Sequence, residues 1–458
     1  MKKTIILFAF AIVSTICYAD VTVNVAVCKG EIKLMNAVNN GPLFTKDTQV
    51  NDNFEAFKDL NIPYARTHDA AFCAAYGGEN TVDITSIFPD FSKDENDPES
   101  YDFQMTDYYL WTIREAGCDV FFRLGQKIEH GIIKDKIMPP ADYLKWARIC
   151  EHIILHYNYG WANGYNAGIK YWEIWNEPDN DTVNWTTNPI CWGGSQEEFF
   201  KFFEVAANYL NKRFPELEIG GPALCWDEKW AEDFLIYMST HKVELDFFSW
   251  HNYHIEPAEV AAKAVRIRNL LDKYGYGESD SILDEWNYVR DFSEYYPYSM
   301  KVMGELKGAA YVASVFQTCQ NAPVDMLMYY DIRPSSYCGL FNISTYEPKW
   351  AYYAFYAWDK LLKLGKQVEV TVDDKDVYAT AATDGKGRTS VFVSRYNEDN
   401  NVLSKKPVNV IVPDIVGKEV TVHITDSAHM YTEVRTHFKD GAIVLDMEPD
   451  SFAMIDIR

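Results

Sequence analysis

The sequence predicts a (β/α)₈ barrel followed by an antiparallel β-sandwich, on three observations. Short apolar runs alternate with longer helical patterns over residues 31–364. The runs number eight, the count that closes a parallel barrel. Beyond residue 365 the pattern changes to short β-rich segments separated by turn residues.

The barrel strands are expected near 33–37, 62–67, 118–124, 169–175, 217–221, 245–250, 281–286 and 324–330. Helices are expected over 140–157, 196–214, 229–239, 257–274, 298–320 and 349–364. Start signals support several of them, such as Pro139-Pro140, and Ser195 followed by Glu197-Glu198. An open doubly wound sheet is the alternative. No G-x-G-x-x-G or P-loop follows an early strand, so nucleotide binding has no support. The acidic stretch 90–102 reads as a solvated loop.

In the second region, strands are expected at 368–372, 377–382, 388–394, 408–412, 419–425, 442–446 and 452–457. Asp384-Gly385-Lys386-Gly387 and Asp440-Gly441 mark turns between them. A strand within 20–30, around Val21–Val27, is a candidate to join this sandwich. The expected organisation is a leader at 1–19, that strand at 20–30, a catalytic barrel at 31–364 and a sandwich at 365–458.

The leader reads from Met1-Lys2-Lys3 into an unbroken apolar run, Ile5 to Val13, and ends at Ala19. A basic start, a short apolar run and a small residue at the cut resemble a secretory signal. The run is too short for the roughly 20 residues that span a bilayer. Secretion, into the periplasm or to the cell surface, is the expectation, with cleavage after Ala19. Cys17 as a lipid-anchoring residue is the alternative; Ile16 before it fits that poorly. No later stretch supports membrane insertion.

The formal charge is −24, which disfavours nucleic acid and anionic membranes as partners. Past the leader, Cys28, Cys73, Cys118, Cys150, Cys191, Cys225, Cys319 and Cys338 are scattered without a C-x-x-C. They read as mostly buried thiols with one or two bridges, not as a metal site or disulfide scaffold. Aromatic residues make up 15 % of the chain. Aromatic faces serve both a core and the stacking of sugar rings.

The chemistry concentrates at strand ends. Tyr171-Trp172-Glu173-Ile174-Trp175-Asn176-Glu177-Pro178 closes the fourth strand. Catalytic groups of such barrels sit at that face. Aromatic walls are expected to raise the pKa of Glu177, so that it carries a proton to a glycosidic oxygen. Asn176 is suited to bond a sugar 2-hydroxyl. Glu173 reads as a buried structural carboxyl. Ser281-Ile282-Leu283-Asp284-Glu285-Trp286-Asn287 closes the seventh strand with a second carboxylate. Strand alternation allows only one of Asp284 and Glu285 to face the pocket, and Glu285 is the choice. Two carboxyls about 5–5.5 Å apart would give hydrolysis with retention.

Arg66 and His68 end the second strand, and a cation there is expected to keep Glu285 ionised. His251 and Tyr253 end the sixth, with Tyr253 placed to donate to the nucleophile. Tyr330, Asp331 and Arg333 end the eighth; Asp331 and Arg333 read equally as a brace. There is no H-E-x-x-H, and His152 and His156 read as ordinary helix histidines. No G-x-S-x-G elbow is present.

These residues resemble glycoside hydrolase family 39, which holds β-xylosidases, α-L-iduronidases and enzymes releasing arabinose-containing disaccharides. The likeness spans nearly the whole chain. It rests on Arg66-x-His68, on Trp175-Asn176-Glu177-Pro178, on Leu283-Asp284-Glu285-Trp286-Asn287 and on the β-rich C-terminal region. The resemblance implies Glu177 as acid/base and Glu285 as nucleophile. It also implies Arg66, His68, Asn176, His251 and Tyr253 as contacts to the cleaved sugar, with a carbohydrate substrate and no cofactor or metal. Residues 69–73 and Asp284 depart from the family pattern, which leaves the sugar open. The stretch 329–334 resembles members acting on arabinose-bearing side chains. A β-xylosidase-like enzyme is expected. The alternatives are an arabinofuranosidase, a disaccharide-releasing or endo-acting enzyme, an iduronidase-like enzyme, or a catalytically silent glycan binder.

Overall fold

The structure, a computed structural model, describes residues 19–44, 51–68, 81–180, 188–413, 415 and 417–458. Most of the leader with Cys17, the departure at 69–73 and Cys73 lie outside the described residues.

The chain begins with β1 (Ala19–Glu31) and then builds a closed barrel. The barrel strands are β2 (Leu34–Asn39), β3 (Tyr64–Arg66), β4 (Asp119–Leu124), β5 (Tyr171–Ile174), β6 (Glu218–Leu224), β7 (Phe247–His254), β8 (Asp280–Tyr288) and β9 (Met326–Tyr329). Each pairs in parallel with its neighbours, and β2 pairs with β9 to close the ring. The fourth barrel strand is thus β5 and the seventh is β8.

Outside lie α1 (Phe54–Asp59), α2 (Ile84–Ile87), α3 (Gln104–Glu115), α4 (Tyr143–Tyr159), α5 (Gln196–Arg213), α6 (Glu228–His241), α7 (Pro257–Tyr274), α8 (Tyr296–Met303), α9 (Leu306–Gln320) and α10 (Trp350–Leu364). Local signals start several of them. Ser195 and Glu198 form a reciprocal capping box on α5, and Pro257 occupies the first turn of α7. The helix expected over 298–320 is two helices, broken at Gly304-Glu305. At Gly308 a side chain would meet the Val302 carbonyl, so the missing Cβ lets the start of α9 pack closely on the end of α8. Helix α3 carries no N-terminal side-chain cap and was not anticipated. In the stretch 90–102, Glu95 is buried against Arg148, while Asp90 and Asp94 cap exposed turns.

The C-terminal region adds β10 (Lys366–Val372), β11 (Val377–Thr383), β12 (Thr389–Arg395), β13 (Lys406–Ile411), β14 (Val420–Thr425), β15 (Thr432–Val434), β16 (Phe438–Lys439), β17 (Ala442–Met447) and β18 (Ser451–Ile457). With β1 they form one ten-stranded sheet in the order β15-β14-β18-β12-β11-β10-β1-β13-β17-β16. The sheet is mixed, not wholly antiparallel, because β1 runs parallel to β13. An N-terminal strand inserted between β10 and β13 can be antiparallel to one and parallel to the other. Val21, Val393, Val410, Val422 and Ile455, from both halves of the sheet, share one core. The opposite face supplies Phe392, Phe452 and Met454 to the main core around the barrel helices. Helix α9 lies in that seam, which is why Tyr311, Val312, Val315 and Phe316 are buried all round it.

Candidate active site

Glu177 follows β5 in a loop whose backbone is held under strain. Trp175 and Glu177 both adopt positive φ, 77° and 48°, where side chains normally clash. Hydrogen bonds over-determine them: Trp175 N–H donates to Leu124 at 2.7 Å and Glu177 N–H to Ala223 at 2.9 Å. Past Pro178, the Asp179 carboxylate accepts the N–H groups of Cys225, Trp226 and Asp227 at 2.8, 3.0 and 3.0 Å. This ties the loop to the segment after β6.

On β8 the alternation rule fails. His251 pairs with Glu285, whereas Trp250 pairs with Leu283, so Asp284 is an extra residue in the ladder. A bulge lets consecutive side chains turn to the same side. Both Asp284 and Glu285 therefore face the interior. This corrects the expectation that only one would.

Arg66 is the hub. Its Nε donates to Glu173 at 2.6 Å and lies 3.1 Å from Asp284. One terminal nitrogen donates to Asn39 at 3.0 Å and Glu285 at 2.8 Å, and the other to Asn176 at 2.7 Å. Tyr253 donates its hydroxyl to Glu285 at 2.8 Å. His251 stands between the two glutamates: Nδ1 is 2.8 Å from Glu177 and 3.6 Å from Glu285, and Nε2 is 3.5 Å from Asp284. One ligand atom from each of Glu177, His251 and Glu285 fits within 4.8 Å of the others. All these groups are buried except Tyr253, which is partly buried.

Four buried carboxyls face two cations here, so protons must be retained. Burial raises the Glu173 carboxyl; Arg66 opposes it, Asp284 reinforces it, and Glu173 ends well above the carboxylate range. A proton on Glu173 supplies Asp284 with a donor beside those of His251 and Arg66. Burial also raises Asp284, but Arg66 and His251 outweigh it and hold it low. Burial works against charge on His251, yet Glu285 and Asp284 raise it well above the ordinary histidine value.

The two glutamates differ from expectation. Burial pushes Glu177 up, but hydrogen bonds from His251, Cys225 and Asn180 carry it below the usual value. For Glu285, burial and the charges of Glu177 and Asp284 outweigh His251 and Arg66, and it is raised. The aromatic wall is therefore not the deciding influence on Glu177. His251 Nδ1 and a Glu177 oxygen lie 2.8 Å apart, the reach over which two groups share one proton. Glu177, His251 and Glu285 are close enough to enclose a cation, but the proton on His251 opposes one there.

His68 is buried and held neutral by burial, with Arg66 and Arg123 adding to the effect. Its Nδ1 and the Asn176 amide nitrogen have no partner among the described residues. Both are available to a ligand. The Tyr330 ring lies 6.1 Å from His68, and Arg333 pairs with Asp331 at 3.1 Å. The anticipated residues thus gather at the C-terminal mouth of the barrel. Sequence reading missed Asn39, the inward turn of Asp284, and Asp179. Asp179 had a visible signal, a carboxylate two residues beyond Glu177, but its three N–H partners come from a distant segment.

The family model for glycosyl hydrolases family 39 matches residues 60–333, which contain all of these site residues except Asn39. The chain belongs to this family. Among curated relatives of this family 39 chain, a β-xylosidase from Caldicellulosiruptor saccharolyticus is 26 % identical over 328 residues, covering 64 % of this chain and 62 % of the relative. A β-xylosidase from Geobacillus stearothermophilus is 33 % identical over 125 residues, 26 % of this chain and 22 % of that one. The chain therefore matches less than two thirds of the length of either. In fold, it resembles a glucosidase from Croceicoccus marinus with a TM-score of 0.77 at 19 % identity, covering 96 % and 99 % of the two chains. It also resembles a monomeric β-xylosidase from Caulobacter crescentus with a TM-score of 0.68 at 15 % identity, again over 96 % and 99 %. Among the described residues the cysteines are free thiols.

Proposed function

We propose that this family 39 chain is an exported retaining glycoside hydrolase acting on β-xylosides, with Glu177 as acid/base and Glu285 as nucleophile. The observation that carries the reading is the packing of both carboxyls around His251, with their nearest oxygens within 4.8 Å. That closeness supports direct attack, for which retaining pairs stand about 5–5.5 Å apart, over an inverting arrangement, for which they stand about 6.5–9.5 Å apart.

In the first step Glu177 gives its proton to the glycosidic oxygen as the C–O bond breaks. Glu285 attacks the anomeric carbon from the opposite face, forming a glycosyl ester. In the second, Glu177 takes a proton from water, which attacks the same carbon and frees Glu285. Arg66 and Tyr253 hold Glu285 in line. His251 stores the proton when Glu177 is ionised. Asn176, held by Arg66, presents its amide nitrogen to the sugar 2-hydroxyl. Export rests on the leader alone. The β-xyloside preference is supported by the names of the curated relatives.

An iduronidase-like reading has one observation behind it: Arg123 and Arg333 both act on His68. Each, however, is already paired, with Asp83 at 2.8 Å and Asp331 at 3.1 Å.

The test is hydrolysis of aryl glycosides of xylose, arabinofuranose, arabinopyranose, galactose, glucose and glucuronate by wild type, Glu177→Ala and Glu285→Ala. Turnover is expected to vanish in Glu285→Ala. In Glu177→Ala it should fall about 10²–10⁴-fold and recover with azide as a glycosyl azide of retained configuration. Undiminished turnover in Glu285→Ala, or an azide product of inverted configuration, would sink the assignment.

A further inference from the structure

Trp226 stands apart from the other tryptophans. It is 65 % exposed, and it is the one exposed tryptophan among the described residues. An exposed indole offers a large apolar face to a ligand, and what singles this one out is where its backbone is anchored.

Its placement supplies one. Trp226 lies just beyond β6, at the catalytic end of the barrel. Its neighbour Cys225 donates a thiol hydrogen bond to Glu177. Its own N–H donates to Asp179, two residues past Glu177, at 3.0 Å. The flanking N–H groups of Cys225 and Asp227 bind the same carboxylate. The backbone carrying the indole is therefore locked to the backbone carrying the acid/base. Asp227 then caps α6 through the N–H groups of Lys229 and Trp230, which stiffens the far side of the turn.

A general acid must lie within hydrogen-bond reach of the oxygen it protonates. The departing sugar is joined to that oxygen, so it occupies the Glu177 side of the cleft. An exposed aromatic face carried on backbone that is tied to the Glu177 loop is suited to the C–H face of a sugar ring. We propose that Trp226 is the platform on which the leaving-group sugar stacks, and so a specificity residue for the aglycone. This rests on the retaining-hydrolase reading above.

The experiment compares two substrates that share a glycone. β-D-Xylosyl fluoride has a leaving group that needs neither a stacking platform nor a full proton transfer. Xylobiose has a sugar there. If the aryl panel selects another glycone, its fluoride and disaccharide replace them. Trp226→Ala should lower kcat/KM for the disaccharide about 5–10-fold, mainly through KM, while changing the fluoride value less than about twofold. Trp226→Phe should recover most of the loss. Equal effects on both substrates, or none on the disaccharide, would overturn the platform. Wild-type turnover of the fluoride, abolished by Glu285→Ala, tests the underlying reading separately. A wild type inert on both substrates would overturn that reading, and this inference with it.

Discussion

The interior of the barrel changes character along its axis. At the N-terminal ends of the strands, Phe121, Tyr171, Phe247, Ile282 and Met326 form an apolar plug. Phe121 lies 5.2 Å from both Tyr171 and Phe247, ring centre to ring centre. A side chain at Gly220 would strike the Phe247 ring, so the bare backbone makes room for it. Two residues further along the same strands stand Arg123, Glu173, Ser249 and Asp284, with Arg66 two beyond Tyr64 and Asn39 two beyond Ala37. Inward positions recur every second residue, so one strand serves both layers. The plug is satisfied within itself. The upper layer leaves His68 and Asn176 with polar atoms unpaired among the described residues. Stability and ligand binding are thus separated by about 7 Å of strand, two residues at roughly 3.3 Å each.

Substitutions can break this contrast. The largest effect is expected from Arg66→Met, which leaves Glu173, Asp284 and Glu285 without their shared cation. Removing one partner of a buried pair costs about 3–5 kcal/mol, and activity should disappear as well; denaturant titration and turnover measure both. Full activity with full stability would show that the carboxyls had simply taken up protons.

Phe247→Ala empties the plug and should cost about 3–4 kcal/mol in the same titration. The folded fraction should keep its kcat. A kcat that falls with stability would mean the two layers are coupled.

His251→Asn sharpens the upper layer. The alkaline limb of kcat/KM reports loss of the proton shared by Glu177 and His251. With His251 gone, that limb should move to lower pH, because Glu177 alone must hold the proton. The stability sign follows from the raised histidine. Its contribution is fully present below about pH 6.5, the unfolded value, and fades as pH climbs through the folded one. The difference between wild type and variant should therefore shrink in alkaline buffer. An unmoved limb would remove His251 from the proton path.

The smallest effect is expected at the seam with the sheet. Glu398 accepts the Tyr288 hydroxyl at 2.9 Å at the far end of β8, and Tyr396 donates to it at 2.9 Å. Glu398 also pairs with Arg290 and its side chain is largely buried, so Glu398→Gln weakens charge-assisted bonds and should cost about 1.5 kcal/mol without changing kcat. A fall in kcat would show that the sheet helps to position the strand bearing Glu285.

Much of this was legible beforehand. The eight apolar runs became the eight barrel strands, because buried parallel strands are continuous in hydrophobicity. Trp175-Asn176-Glu177-Pro178 and Asp284-Glu285-Trp286 marked the two strand ends where the buried carboxyls meet. Helix α3 was missed because no cap announces Phe103, and the break between α8 and α9 because Gly304 alone does not reveal how closely the two helices pack at Gly308.

The sequence by itself determined the periodicities, and with them the barrel, the β-rich region and the residue types available at each strand end. Tertiary structure decided which of those residues meet and which hold protons. The bulge at Asp284 depends on how β8 pairs with β7, a relation between strands that no single strand encodes. The protonation of Glu173, Glu177, His251 and Glu285 depends on groups up to 219 positions apart being brought within hydrogen-bond reach, as Arg66 and Glu285 are. Burial and Coulomb interactions act through space, so the charge state of this site belongs to the fold.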